Sequence, residues 1–146
     1  MNEFQIVRDI ECSPEDVFAA LVNLDRIPDW NSSVVEVRRT NDAPLAVGST
    51  MVYVGKFLGR VFESEALVTD FVPAKRFSSK SISGPFLLEI ENNLESSDDG
   101  TRITSNFRGE SRGFFKLAEP VMVRLSKNLF ETSTDNLKAL LEARTL

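Results

Sequence analysis

The stretch from Phe115 to Ala143 reads as one long amphipathic helix, and everything before it has to supply a surface for that helix to close over. At an α-helical repeat of ~100° per residue, Phe115, Ala118, Met122, Leu125, Leu129 and Leu140 fall within one arc, which Phe130, Leu137 and Leu141 widen on one side. Arg124, Lys127, Glu131, Asp135, Lys138 and Glu142 fall on the other. Asp135 with Lys138 and Lys138 with Glu142 are spaced to pair across solvent for only ~0.2–0.5 kcal/mol each, so docking through the apolar stripe is expected, not docking through charge. Pro120 lies near the N-terminal end, where proline is tolerated in a first turn; either the regular helix starts there, or Phe114 to Glu119 forms a turn that kinks at it. Ser126, Ser133 and Asn136 interrupt the stripe. Two readings follow: they bond back to the preceding turn or sit at the stripe edge, or part of this face, with the adaptable Met122, looks into a cavity.

Upstream, the pattern is mostly that of strands. Phe4, Ile6 and Ile10 alternate with polar residues, giving a first strand with one buried face. Arg8 sits on its apolar parity, either as an edge residue whose stem packs while its head reaches water or as a cavity charge that orients an acidic ligand group. Ser13-Pro14-Glu15-Asp16 combines an N-cap serine, a proline at the first helical position and two acids against the positive helix end. Val17, Phe18, Leu21 and Val22 give that short helix its buried side. Asn23 to Asp29 holds one further helical turn, and Trp30, the only tryptophan, stands at the re-entry into the sheet before an Asn31-Ser32-Ser33 turn.

Strands are then expected over Val34 to Arg39, Ser49 to Lys56, Arg60 to Phe71, Lys75 to Ile82, from Phe86 to about Leu94, and over Thr101 to Ser111. They are separated by the loop from Thr40 to Gly48, a turn around Phe57-Leu58, Pro73-Ala74, Ser83-Gly84-Pro85 and the hairpin turn Asp98-Asp99-Gly100. Inward parities are read from the alternation: Met51 with Tyr53; Phe62, Ser64, Ala66 and Val68; Phe86, Leu88, Ile90, Asn92 and Leu94; Ile103, Ser105 and Phe107. The opposite faces carry charge, with cross-strand pairs expected between Arg102 or Arg108 and Glu89 or Glu91.

Composition removes several function classes. A net charge of −5 argues against a nucleic-acid binder, which needs a clustered basic surface, and disfavours anionic membranes. The single cysteine, Cys12, excludes an internal disulfide and fits a small buried residue in a reducing compartment. The complete lack of histidine removes Ser-His and Cys-His nucleophilic pairs, histidine bases and the common zinc sites. No run approaches the ~20 apolar residues of a membrane span or a signal peptide, so a cytoplasmic protein with no stable membrane anchoring is expected. No cofactor is called for, and the oligomeric state is left open.

The order is strand, two short helices, six antiparallel strands and a long helix, in one domain over residues 1–146. This order resembles the START-like (SRPBCC) superfamily with its helix-grip fold, which includes polyketide cyclase/dehydrase-like and lipid-transfer proteins. The resemblance rests on Ser13-Pro14-Glu15-Asp16-Val17-Phe18, on Asp25 to Trp30 ending in Pro28-Asp29-Trp30, on Gly48 before a strand, and on the terminal amphipathic helix. It implies an α+β fold in which a curved antiparallel sheet of about seven strands wraps around the C-terminal helix and encloses a deep cavity for a small hydrophobic molecule. It carries over no catalytic motif.

Three readings follow. The first is a carrier or sensor that binds a lipid, polyketide or isoprenoid-like molecule, with Trp30, Tyr53, Phe62, Ser64, Asn92, Ser105, Phe107, Met122, Leu125 and Leu129 as the ligand-binding wall. The second is a cyclase or dehydratase using the same cavity, with Tyr53 and Asn92 or Ser105 as donors and Arg8 or Arg124 at the mouth; inward-facing ionisable groups would favour it. The third is a protein-interaction module whose cavity has collapsed.

Overall fold

The computed structural model describes residues 2–111 and 119–144. Its elements are β1 (Asn2–Ile10), α1 (Pro14–Val22), a 3-10 turn (Leu24–Arg26), α2 (Ile27–Trp30), β2 (Val34–Arg39), β3 (Thr50–Phe57), β4 (Arg60–Val72), β5 (Arg76–Ser81), β6 (Phe86–Ser97), β7 (Gly100–Ser111) and α3 (Glu119–Glu142). The strands form one seven-stranded sheet in the order β1-β7-β6-β5-β4-β3-β2, and every neighbouring pair is antiparallel. β2 to β7 run as successive hairpins. The β1–β7 pairing then brings the first strand beside the last, which is why α1 and α2, lying between β1 and β2, must cross from one edge of the sheet to the other.

Local chemistry accounts for the turns. The Asp16 N–H donates to Ser13 Oγ at 3.2 Å, capping α1 as its sequence requires. Between β3 and β4 the two-residue turn has Leu58 and Gly59 both at positive φ, 51° and 76°, the conformation that matches the twist of a tight hairpin. The ladder is irregular between Val34 and Glu36 and between Val68 and Asp70. Extra residues at such bulges increase local twist.

The main core gathers around α1 and the sheet: Ile10, Val17, Leu21, Leu24, Ile27, Met51, Val68, Phe77, Ile103, Leu137 and Leu141 are buried. α1 packs against β5, β6 and β7, while α3 packs against β1, β7 and α2. Cys12 is buried there, its thiol donating to the Leu141 carbonyl at 3.3 Å.

Several expectations need correction. α3 runs from Glu119, with Pro120 in its first turn; Phe115 and Ala118, assigned to the helix, fall outside the described residues. Its buried residues are Met122, Ser133, Thr134, Leu137 and Leu141, so at 100° per residue the buried face is turned by roughly 90° from the arc centred on Met122, Leu125 and Leu129. Charge contributes to docking after all. Arg8 Nε donates to Asp135 Oδ1 at 2.7 Å, which makes Arg8 a clasp between β1 and α3 and not a cavity charge. Glu142 accepts from the Glu11 N–H at 2.9 Å. On the outer face, Arg102 pairs with Asp9 at 2.9 Å and Arg108 with Glu3 at 2.8 Å, because β1 lies beside β7. Glu91 instead meets Arg76 across the β5–β6 ladder at 2.7 Å, leaving only Glu89 near Arg108, at 3.7 Å.

Candidate functional site

Rows of side chains on the inner face of the sheet determine where space is left. Across one row of the ladder Phe77 pairs with Asn92 and Asn92 with Ser105; across the next, Val68 pairs with Ser79, Ser79 with Ile90 and Ile90 with Phe107. Each row thus sets serine or asparagine beside large apolar side chains. On the other side, Tyr53 pairs with Ser64 and Gly55 with Phe62. A methyl group on Gly55 would lie 2.7 Å from Phe62 Cζ, so glycine is what lets the ring lie over that strand. Between this face, α2 and α3 lies a cavity of about 250 Å³.

Two aromatic groups frame the cavity. Phe107 is stacked between Phe4 and Phe130, with ring centroids 4.8 and 4.6 Å away, so β1, β7 and α3 are joined through one column of rings. At the β3–β4 end, Phe86 meets Phe57 and Phe62 edge to face at 5.7 and 5.2 Å. All six rings lie in the cavity wall.

Among the residues singled out from sequence, Trp30, Tyr53, Phe62, Ser64, Asn92, Ser105, Phe107, Met122 and Leu129 are brought together in the wall. Leu125 is not. At 100° per residue it stands roughly 100° from the face carrying Ser126, Ser133 and Leu137, and those three do line the cavity. The stripe's polar interruptions therefore face the cavity or cross to neighbouring elements. Ser133 Oγ accepts from the Ser32 N–H at 3.3 Å, and Asn136 Nδ2 donates to the Trp30 carbonyl at 3.3 Å. Sequence reasoning missed Ser79 and Ser81, although they share the parity of Phe77. It also missed Glu110 and Glu119 in the wall; Asn2 Nδ2 donates to Glu119 Oε1 at 3.0 Å.

The polar groups of the cavity are sparse. Ser105 Oγ donates to Asn92 Oδ1 at 2.7 Å. Among the described residues the Tyr53 hydroxyl has the soft sulfur of Met51 as its hydrogen-bond partner, at 4.0 Å, and burial pushes its phenol up to about 12. It remains protonated at any physiological pH. Trp30 Nε1 is buried with no acceptor among the described residues. No lysine or arginine lines the cavity among those residues, and they contain no grouping of Cys, Asp and Glu that could hold a metal ion.

A family model described as polyketide cyclase/dehydrase and lipid transport matches residues 1–142. The chain belongs to this family. Solved structures share its helix-grip fold throughout. TTHA0849 from Thermus thermophilus superposes with a TM-score of 0.75 at 18% identity, covering 99% of this chain and 97% of that one. MLL2253 from Mesorhizobium loti gives 0.73 at 18% identity, over 99% and 100%. The di-domain ARO/CYC StfQ from the steffimycin biosynthetic pathway gives 0.78 at 13% identity, with 97% of this chain covering 51% of that one. No curated protein matches the chain in sequence. As in the sequence, no helix among the described residues is long and apolar enough to cross a membrane.

Proposed function

We propose that this member of the family binds one small hydrophobic molecule, lipid, polyketide or isoprenoid-like, in the cavity between sheet and α3, as a carrier or sensor. The observation that carries the reading is the cavity itself, about 250 Å³ of space walled mainly by aromatic and aliphatic side chains. A cavity of about 150 Å³ is enough for benzene, so this one suits a molecule of roughly two rings or an equivalent chain. Every 100 Å² of apolar ligand surface buried contributes about 2.5 kcal/mol, and the few hydroxyls and amides serve orientation. The family's description names lipid transport as well as cyclase chemistry, and both fit a site of this kind. The open cavity disfavours the interaction module with a collapsed interior. A cytoplasmic setting is supported by the free, buried Cys12.

A second reading, a cyclase or dehydratase, is favoured by one observation: two acidic residues, Glu110 and Glu119, line the same cavity. StfQ, named an ARO/CYC, supplies the precedent of a fold-mate in polyketide biosynthesis. Native mass spectrometry of the purified protein, followed by solvent extraction, tests the first reading. A co-purifying apolar molecule that is returned unchanged after incubation supports a carrier; its conversion supports the enzyme. Failure to take up any apolar molecule across a panel of one- to three-ring compounds would sink both.

A further inference from the structure

Strand direction gives the cavity an inner and an outer end. On β6 the wall runs from Phe86 to Asn92 and stops there; Leu94, the next residue of the same parity, is buried in the main core. Around Asn92 the space is closed by Phe77, its ladder partner on β5, by Ile103 on β7 and by Leu21 on α1, all of them buried wall residues. Phe57 and Phe86 stand at the opposite end, the end that carries the exposed Leu58 and Ile82. Asn92 is thus a carboxamide near the floor of an apolar well.

Its hydrogen bonding has a direction. Ser105 pairs with Asn92 across the β6–β7 ladder and is 3% exposed, and its Oγ donates to Asn92 Oδ1 at 2.7 Å. Among the described residues this carboxamide oxygen is the only acceptor the hydroxyl has. Turning the amide over would therefore leave a buried proton unmet, at the full cost of its desolvation. Ser105 in this way fixes the amide so that Oδ1 is taken and Nδ2 is left. Nδ2 has no partner among the described residues. It is not one of the sealed, unbonded side-chain atoms either, which belong to Trp30, Arg76 and Ser78, so it keeps accessible surface. Asn92 lies on the inner face of β6, where that surface is the cavity's. A ligand without an acceptor would desolvate this donor and give it nothing in return.

We infer that Asn92 Nδ2 is the donor that seats an acceptor oxygen, of a ketone, quinone or ester kind, at the leading end of an otherwise apolar ligand, and that Ser105 is the positioning residue that aims it. The ligand then lies with its oxygen inward and its apolar remainder towards Phe57 and Phe86. The inference rests on the cavity-binding reading above and adds the anchoring atom and the direction in which the ligand lies.

2-Heptanone, 4-heptanone and heptane are nearly equal in size and differ in whether an oxygen is present and how far it stands from the end of the chain. Their affinities can be read from the fluorescence of Trp30, the only tryptophan and a wall residue. Binding is expected to weaken in the order given, with 2-heptanone about tenfold tighter than heptane. The carbonyl carbon of ¹³C-labelled 2-heptanone is expected to resonate downfield of its position in a hydrocarbon solvent, as that of a hydrogen-bonded ketone does. Asn92→Leu combined with Ser105→Ala removes both partners of the buried bond, which a fold tolerates better than the loss of one. In that double variant the advantage of ketone over heptane and the carbonyl shift are both expected to vanish. Equal affinity for 2-heptanone and heptane, a carbonyl resonance unchanged from hydrocarbon solvent, or a ketone advantage that survives in the double variant would each overturn the inference while leaving the cavity reading intact. Binding of 4-heptanone as tight as that of 2-heptanone would overturn the direction in which the ligand lies. Binding of none of the three overturns both the inference and the cavity reading. Should the double variant fail to fold, the carbonyl shift in the unmodified protein decides alone.

Discussion

Replacing Phe107 by alanine tests whether the column of rings is what holds α3 against the sheet. Phe107 is 5% exposed and stacked on both faces, by Phe4 at 4.8 Å and by Phe130 at 4.6 Å. A buried Phe→Ala change costs about 3–5 kcal/mol, of which two aromatic contacts supply about 0.5–1.5 kcal/mol each. Phe107 also lines the cavity, so part of its ring already faces open space and has no packing to lose; the lower end, about 3 kcal/mol, is the expected loss. With an unfolding slope of about 2 kcal/mol per molar urea, the midpoint should fall by about 1.5 M. Phe107→Leu, which keeps most of the bulk and loses the stacking, should fall by about half as much. Urea unfolding followed by circular dichroism and by Trp30 fluorescence measures both. The substitution also enlarges the cavity, so the alanine variant should accept a three-ring probe that the parent excludes. A loss below about 1 kcal/mol would refute the reasoning, because α3 would then be held by Leu137, Leu141 and the Arg8–Asp135 clasp, and the ring column would be mere lining.

Three further changes probe other parts of the molecule. Leu129→Trp, on the cavity side of α3, should abolish uptake of a solvatochromic probe while leaving the far-ultraviolet circular dichroism unchanged; joint loss of folding and binding would instead make Leu129 core. Gly100→Ala should destabilise by about 3 kcal/mol or more, because its Cβ would lie 2.2 Å from the Ile10 carbonyl oxygen and 2.8 Å from Cys12 N, both backbone atoms that can yield only by moving the β1–α1 connection; a thermal-melt change of a degree or two would contradict this. Tyr53, the only tyrosine, should ionise near pH 12 in the folded protein and near the ordinary value of about 10 when denatured. Since the folded state holds the proton more tightly, the associated stability is fully present below pH 10 and is lost as pH rises towards 12; phenolate absorbance in the folded protein with a midpoint near 10 would show that the hydroxyl is solvated.

What could be read from the sequence follows from how local each signal is. Ser13-Pro14-Glu15-Asp16 contains its own capping hydrogen bond, and the strand alternation from Phe62 to Val68 and from Phe86 to Leu94 is a property of one strand at a time, so both survived into the structure. The pairing of Arg108 with Glu3, and of Arg8 with Asp135, depends on β1 returning beside β7 and under α3, which no window of sequence contains. The phase of α3 was misjudged for a related reason. Ser126 and Ser133 look like defects in an apolar stripe when hydrophobicity alone defines the buried face, whereas in the structure they sit near its middle and Leu125 lies at its margin. A helix facing a cavity buries small polar groups that a helix facing a solid core would not. Ser79 and Ser81 were overlooked because a strand of Phe77, Ser79 and Ser81 has too little apolar contrast to announce its inner face.

Those serines also explain why the interior does not close. At about 24 cal/mol per Å³, a cavity of about 250 Å³ forgoes on the order of 6 kcal/mol of packing, a sizeable part of the roughly 5–15 kcal/mol by which a domain is usually stable. Aliphatic side chains at Ser79, Ser81, Ser105, Ser126 and Ser133 would recover much of it without disturbing the strand or helix pattern. Large rings at Phe107, Phe130, Phe62 and Phe86 hold the walls apart, and small hydroxyls between them leave the space unfilled. The same arrangement means that an apolar ligand entering the cavity gains contacts the protein lacks on its own, so ligand binding and folding stability must rise together.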